Sequence, residues 1–234
     1  MYFDLNIKGS NLNNDLTLLK KASILGWDYI GLTYNPNNYD GAINYLKDSN
    51  YDNFDLRCEI QGNTNQIQKN IQKFRNKSNF ISVFGGDLKV NRFACENIKV
   101  DILSRPYFKR RDCGINHVLA KAARDNDVAI ELCFKDILNS YLSYRSKNIS
   151  YFKDIIALHR KYDFSLILSS GLNSIYDIRN PKDIFIFYNE LGLTNDEISN
   201  AIEINPKKIL DFNKNRDNLI LKGVKKIEGF NDET

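Results

Sequence analysis

Short apolar runs alternate with segments of helical period through most of this chain. The runs MYFDLNI (1–7), WDYIGLTY (27–34), FDLRCEIQ (54–61), NFISVFGG (79–86), 100–103, 128–134 and FSLILSSG (164–171) have the length and content of buried strands. Helical segments are predicted near 13–25, 40–49, 63–77, 87–97, 114–126 and 149–161. Turn chemistry marks their borders. Gly26 closes the first helix, Asn35-Pro36-Asn37 breaks the second strand, and Asp87 is placed to cap a helix. Pro181 stands where a helix running to Gly192 would begin, and Thr194 with Glu197 forms a capping-box pattern.

Strand–helix units in strict alternation imply an α/β protein with a parallel sheet and right-handed crossovers. Several strands carry a polar or charged residue inside an apolar run: Asp4, Asn6, Arg57, Glu59, Asp101 and Glu131. A barrel lumen can pair such groups near its mouth, whereas the centre of a sheet covered on both faces cannot. The expected fold is therefore a TIM-barrel-like parallel barrel of seven or eight strands. No eighth strand is evident, so incomplete closure is expected.

Composition adds bounds. The chain has 234 residues, 42% apolar and 26% charged, and no internal linker, so 1–234 is expected to be a single barrel domain with a basic C-terminal helix or tail over 206–234. That end carries Lys207, Lys208, Lys214, Arg216, Lys222, Lys225 and Lys226. Cys58, Cys95, Cys113 and Cys133 form no CxxC pair, so they are expected to be reduced and buried. No signal segment and no run of about 20 apolar residues is present, which makes a cytoplasmic location the default and argues against a membrane.

Catalytic candidates are sparse. The two histidines, His117 and His159, both fall on predicted helices, and the first strand ends in Asp4-Leu5-Asn6 where a metallohydrolase would place a His-x-His pair. Asp4, Glu59, Asp101 and Glu131 could hold Mg²⁺, but each also fits an ion-pair network with Arg57. The turn Ser169-Ser170-Gly171 could contact phosphate at a strand end. No phosphate-loop or dinucleotide fingerprint occurs.

The densest signal runs from Val100 to Phe134: a strand, a basic loop, an amphipathic helix and a second strand. The loop holds Arg105, Lys109, Arg110 and Arg111 with Tyr107 and Phe108, against Asp112. On the helix, His117, Lys121 and Arg124 fall within about 60° of arc, opposite an apolar face. Cations beside aromatics at a strand end suit an RNA backbone and unpaired bases, although Tyr107 and Phe108 equally suit a barrel cap. Arg92, Ser170, Arg179 and Lys182 complete the candidate RNA-binding set if the barrel closes in order. Removing Arg105, Arg110 and Arg111 together is expected to weaken RNA binding without unfolding the barrel.

At these residues the chain resembles the archaeal ribonuclease P protein component 3 family, counterpart of a eukaryotic RNase P subunit. The matching pieces are FDLN, VDILSRP, GINHVLAKAARDNDVAIEL, LILSSGLNSIYDIRNPKD, LGL at 191–193 and NPKKILDFN. The resemblance implies a barrel related to the polymerase-and-histidinol-phosphatase (PHP) hydrolases without their metal site. It implies a subunit of the endonuclease that removes the 5′ leader of precursor tRNA, with the RNA subunit as catalyst and user of Mg²⁺ and no cofactor on this chain. The implied partners are RNase P RNA, precursor tRNA, other protein subunits, and component 2 in a heterotetramer with two copies of each. Asn6 stands where the family often has His. The alternatives are a metal-dependent PHP-type phosphoesterase, a sugar-phosphate enzyme built on the Ser-Ser-Gly turn, or an interaction protein.

Overall fold

The computed structural model describes residues 1–46 and 51–216, with the backbone of 219–221 and 224–225. Seven parallel strands lie side by side in chain order: β1 (Phe3–Lys8), β2 (Tyr29–Tyr34), β3 (Phe54–Ile60), β4 (Phe80–Phe84), β5 (Ile102–Ser104), β6 (Ala129–Cys133) and β7 (Leu166–Ser169). The helices around them are α1 (Leu12–Ile24), α2 (Pro36–Leu46), α3 (Thr64–Phe74), α4 (Leu88–Cys95), α5 (His117–Asp125), α6 (Lys135–Leu138), α7 (Leu142–Tyr162), α8 (Pro181–Glu190), α9 (Asn195–Ser199) and α10 (Asn205–Lys214). A π-helical turn, Asn200–Ile204, joins α9 to α10.

The sheet curls into a nearly closed barrel with one unsealed seam, between β7 and β1. Across it Lys8 N donates to Leu172 O at 2.7 Å, and Ser170 N donates to Asp4 Oδ1 at 3.1 Å. The last two strands, β8 (Leu219–Leu221) and β9 (Val224–Lys225), form a separate antiparallel pair rather than filling the seam. Of the basic tail, α10 lies within the described residues, whereas Lys222 and Lys226 lie outside them.

At the strand-start end the lumen is apolar. Phe3, Leu5, Tyr29, Phe80, Ile102, Ala129 and Ile167 pack together, and Leu210 of α10 closes them from below. Each large side chain buried there contributes roughly 1.5–3 kcal/mol. Asp101 sits at this same end. It pairs with Arg75 at 2.7 Å and accepts from Asn213 Nδ2 at 2.9 Å. It immediately precedes β5, so it cannot join the mouth carboxylates.

β1 carries one extra residue against β2: Asp4 faces Ile30 while Ile7 faces Leu32. Such a bulge re-aims a side chain. Here Leu5 packs with the apolar lumen layer while Asn6, its neighbour, reaches Glu131. Gly31 permits the close approach, because a Cβ there would lie 2.7 Å from Leu5 O.

Local signals set the helix ends. Asp87 caps α4 through Lys89 N and Val90 N, and Thr194 and Glu197 form the reciprocal capping box of α9. Pro36 opens α2 as its first residue, so it starts a helix as well as ending the preceding strand. α7 begins seven residues before the predicted start near 149. Its polar first turns lack an apolar period, yet Arg145 Nε donates to Ser140 O (2.8 Å) and Asn148 Nδ2 to Asp136 O (3.1 Å), tying them to α6.

Candidate nucleic-acid interface

The mouth of the barrel, where the strands end, is built on a buried ion pair. Arg57 Nη1 and Nη2 donate to Glu131 Oε1 and Oε2 at 2.6 and 2.7 Å, and both residues are 0% exposed. Arg57 Nε donates to Ser82 Oγ at 2.8 Å, and Asn6 Nδ2 lies 3.2 Å from each Glu131 oxygen. Lys8 and Glu59 extend the network upward. Burial alone would raise the Glu131 carboxyl, but Arg57 outweighs it and holds the group at about 2. The Arg57–Glu131 pair and its neighbours thus fill the lumen, while Asp4 Oδ2 at the seam stays buried without a hydrogen-bond partner among the described residues.

Arg105 caps this network rather than facing solvent. Its φ of +50° turns the side chain inward, where it is 8% exposed. Nη2 donates to Cys133 Sγ at 2.8 Å, and Nε lies 3.1 Å from Asp136 Oδ2. Tyr107, also buried, donates its hydroxyl to the same Asp136 oxygen at 2.8 Å. Burial pushes the Cys133 thiol up to about 12 despite the neighbouring guanidinium. Removing Arg105 would strand Cys133 and Asp136 together. Arg105 therefore has a structural part in the barrel mouth, so its removal is expected to lower stability as well as remove a cation.

The loop beyond it is pinned at both ends. Buried Asn91 donates to Pro106 O and Gly114 O, both at 2.9 Å, and Tyr151 donates to Arg110 O at 3.2 Å. Arg110 is itself a strut: it clasps Asp112 at 2.6 and 2.8 Å and donates to Gly86 O at 3.1 Å. Lys109 and Arg111 are exposed on the outside of this rigid loop. Asn116 then caps α5, whose His117, Lys121 and Arg124 are all exposed. Lys121 leans over the Tyr162 ring, and Arg124 pairs with Asp125 at 2.7 Å.

Of the remaining candidates, Ser170, Arg179 and Lys182 do not join this face. Arg92, exposed on α4, is paired with Glu96 at 2.8 Å. Ser170 is fully buried at the seam. Arg179 and Lys182 lie toward the opposite end of the barrel, which corrects their expected place on one rim. The Arg179 carbonyl accepts from Trp27 Nε1 at 2.8 Å, and its guanidinium donates to its own loop. Lys182 lines a groove with Tyr2 and Phe185, and Tyr2 immediately precedes β1. The physical reason is the long β7–α8 connection, which runs back along the barrel before α8 begins.

Among the described residues no three His, Cys, Asp or Glu side chains group as metal ligands, and no helix is long and apolar enough to cross a membrane. His159 Nδ1 lies 2.6 Å from Phe164 O on the outer layer, far in role from a hydrolytic site. The residues that sequence reasoning missed are Asp136 and Cys133 as partners of Arg105. The one available signal was the buried strand end preceding Asp136.

A family model described as RNase P subunit p30 matches residues 1–218. The chain belongs to the RNase P subunit p30 family. Ribonuclease P protein component 3 of Methanothermobacter thermautotrophicus is 38% identical over 231 residues, covering 96% of this chain and 94% of that protein. The component 3 protein of Methanococcoides burtonii is 34% identical over 234 residues, covering 97% and 94%. A chain in a cryo-EM structure of archaeal ribonuclease P with mature tRNA superposes with a TM-score of 0.79 at 31% identity, covering 98% of this chain and 100% of that one. An Acinetobacter baumannii protein described as a probable 2-pyrone-4,6-dicarboxylic acid hydrolase superposes with a TM-score of 0.58 at 9% identity, a likeness of fold alone. As an RNase P p30-family member the chain is a protein subunit of the tRNA-processing ribonucleoprotein endonuclease. The phosphoesterase alternative has less support.

Proposed function

We propose that the chain assists the RNA subunit by gripping its backbone with the β5–α5 loop and helix, supplying no catalytic residue of its own. One observation carries this reading. On a segment whose Arg105, Arg110 and Arg124 are each held by an acid, Lys109, Arg111, His117 and Lys121 stay exposed on a rigid support. Among the described residues Lys109, Arg111 and Lys121 have no carboxylate partner, and such cations release counterions when they meet phosphates. They would neutralise crowded RNA strands and hold the geometry of the RNA active site.

The same reading assigns Mg²⁺ to the RNA subunit and no cofactor to this chain. It places component 2 as the protein partner, in a heterotetramer with two copies of each, alongside the other protein subunits and precursor tRNA in the cytoplasm. The test is RNA binding by a Lys109→Ala/Arg111→Ala/Lys121→Ala variant. Affinity should fall, and the slope of log affinity against log salt should shrink by roughly one for each phosphate that is no longer neutralised. Unchanged affinity and slope would remove the proposed face.

A further inference from the structure

Between the basic loop and the turns after β3 and β4 lies a groove of about 350 Å³. Its wall is an aromatic pair. Phe84 and Phe108 meet edge to face, with centroids 4.9 Å apart at 76°. A cation stands at each end of the pair: the Arg105 guanidinium 5.6 Å from the Phe84 centroid, and Lys109 Nζ 5.4 Å from the Phe108 centroid. Gln61 lies at the edge, exposed, with an amide that both donates and accepts. Asp87, the one acid in the lining, directs Oδ1 to Lys89 N and Val90 N of α4.

The groove is preformed. Gly86 has a φ of +113°, and a Cβ there would lie 2.5 Å from Phe108 O, so the turn and the loop touch backbone to backbone. Lys109 has a φ of +55°, an uncommon conformation for a residue with a side chain. Strained residues of this kind persist where the surroundings over-determine them, and they cluster at functional sites. Phe108 nonetheless stays half-buried, so the strain is not explained by closing the core.

We infer that this groove receives an unpaired nucleobase of RNA, stacked on Phe108 with its phosphate on Lys109. This inference rests on the proposal that the β5–α5 face meets RNA, and adds a base site to it. An aromatic face beside cations suits a single strand, whose bases are free to splay. It does not suit a duplex, whose base faces are stacked away.

The test measures anisotropy of the full chain with three labelled probes: a short oligoadenylate, an abasic oligomer of equal length, and a duplex. Phe108→Leu keeps apolar bulk and removes the π face. It should weaken oligoadenylate binding roughly 5- to 100-fold, leaving the salt slope and the abasic probe unchanged. Lys109→Ala should weaken oligoadenylate and abasic probes alike and lower the slope. Photocrosslinking of the unaltered chain to 4-thiouridine RNA gives a readout independent of any variant, with adducts expected at Phe108 or Phe84. Wild-type oligoadenylate affinity in Phe108→Leu, with loss in Lys109→Ala/Arg111→Ala, would overturn the base site and leave the RNA face standing. Wild-type affinity in all these variants would overturn both.

Discussion

Arg57 and Glu131 meet across the barrel lumen through two parallel hydrogen bonds, with no exposure of either side chain. Two charges taken wholly out of water are stabilising only while both are present, since each offsets the desolvation of the other. Glu131→Gln alone should therefore cost about 3–5 kcal/mol in urea unfolding. Replacing both, as Arg57→Met with Glu131→Leu, should cost much less than the sum of the single changes. Simple additivity would show that the two side chains do not act as a pair.

The same pair predicts an acid limb. Glu131 is held at about 2 against an ordinary value of 4.5, so its contribution is complete above about 4.5 and disappears as pH falls through 2. The amount is on the order of 3 kcal/mol. Unfolding midpoints measured between pH 5 and pH 2 should fall more steeply for the unaltered chain than for the Arg57→Met/Glu131→Leu protein. Parallel curves would count against the assignment.

Arg105 and Arg111 should part company. Arg105→Ala leaves Cys133 and Asp136 without their cation in a buried mouth, and should lower stability by roughly 1–3 kcal/mol. Arg111→Ala is a surface change and should stay within about 0.5 kcal/mol while weakening RNA binding. Thermal melts of the two variants, set beside their RNA affinities, check both statements.

All four cysteines are buried, and burial lifts the Cys58, Cys95 and Cys133 thiols to about 12. Since the thiolate is the reactive form, the folded chain should resist iodoacetamide near neutral pH and take up four labels in denaturant. Mass spectrometry distinguishes the two states. Rapid labelling of Cys133 in the folded protein would contradict its packed place beneath Arg105.

What could be read from the sequence was local or periodic. Strand–helix alternation gave the barrel, and four-residue patterns gave the caps at Asp87 and Thr194. The in-strand polar residues Asn6, Arg57, Glu59 and Glu131 belong to the lumen, as their placement in apolar runs implied. Other features depend on geometry that no period encodes. Which way Arg105 turns is set by one positive φ, and the aim of Asn6 by one extra residue in β1. Asp101 precedes its strand by a single residue, enough to send it to the far end. The β7–α8 connection carries Arg179 and Lys182 away from the mouth, a course that its length does not reveal.

The most direct test is cleavage of precursor tRNA by the RNA subunit with component 2, at fixed Mg²⁺, with and without this chain. Full cleavage should require the chain, and the chain alone should cleave nothing. The Lys109→Ala/Arg111→Ala/Lys121→Ala protein should restore only a small part. Cleavage by the chain alone, or cleavage unchanged by leaving it out, would contradict a subunit that assists a catalytic RNA.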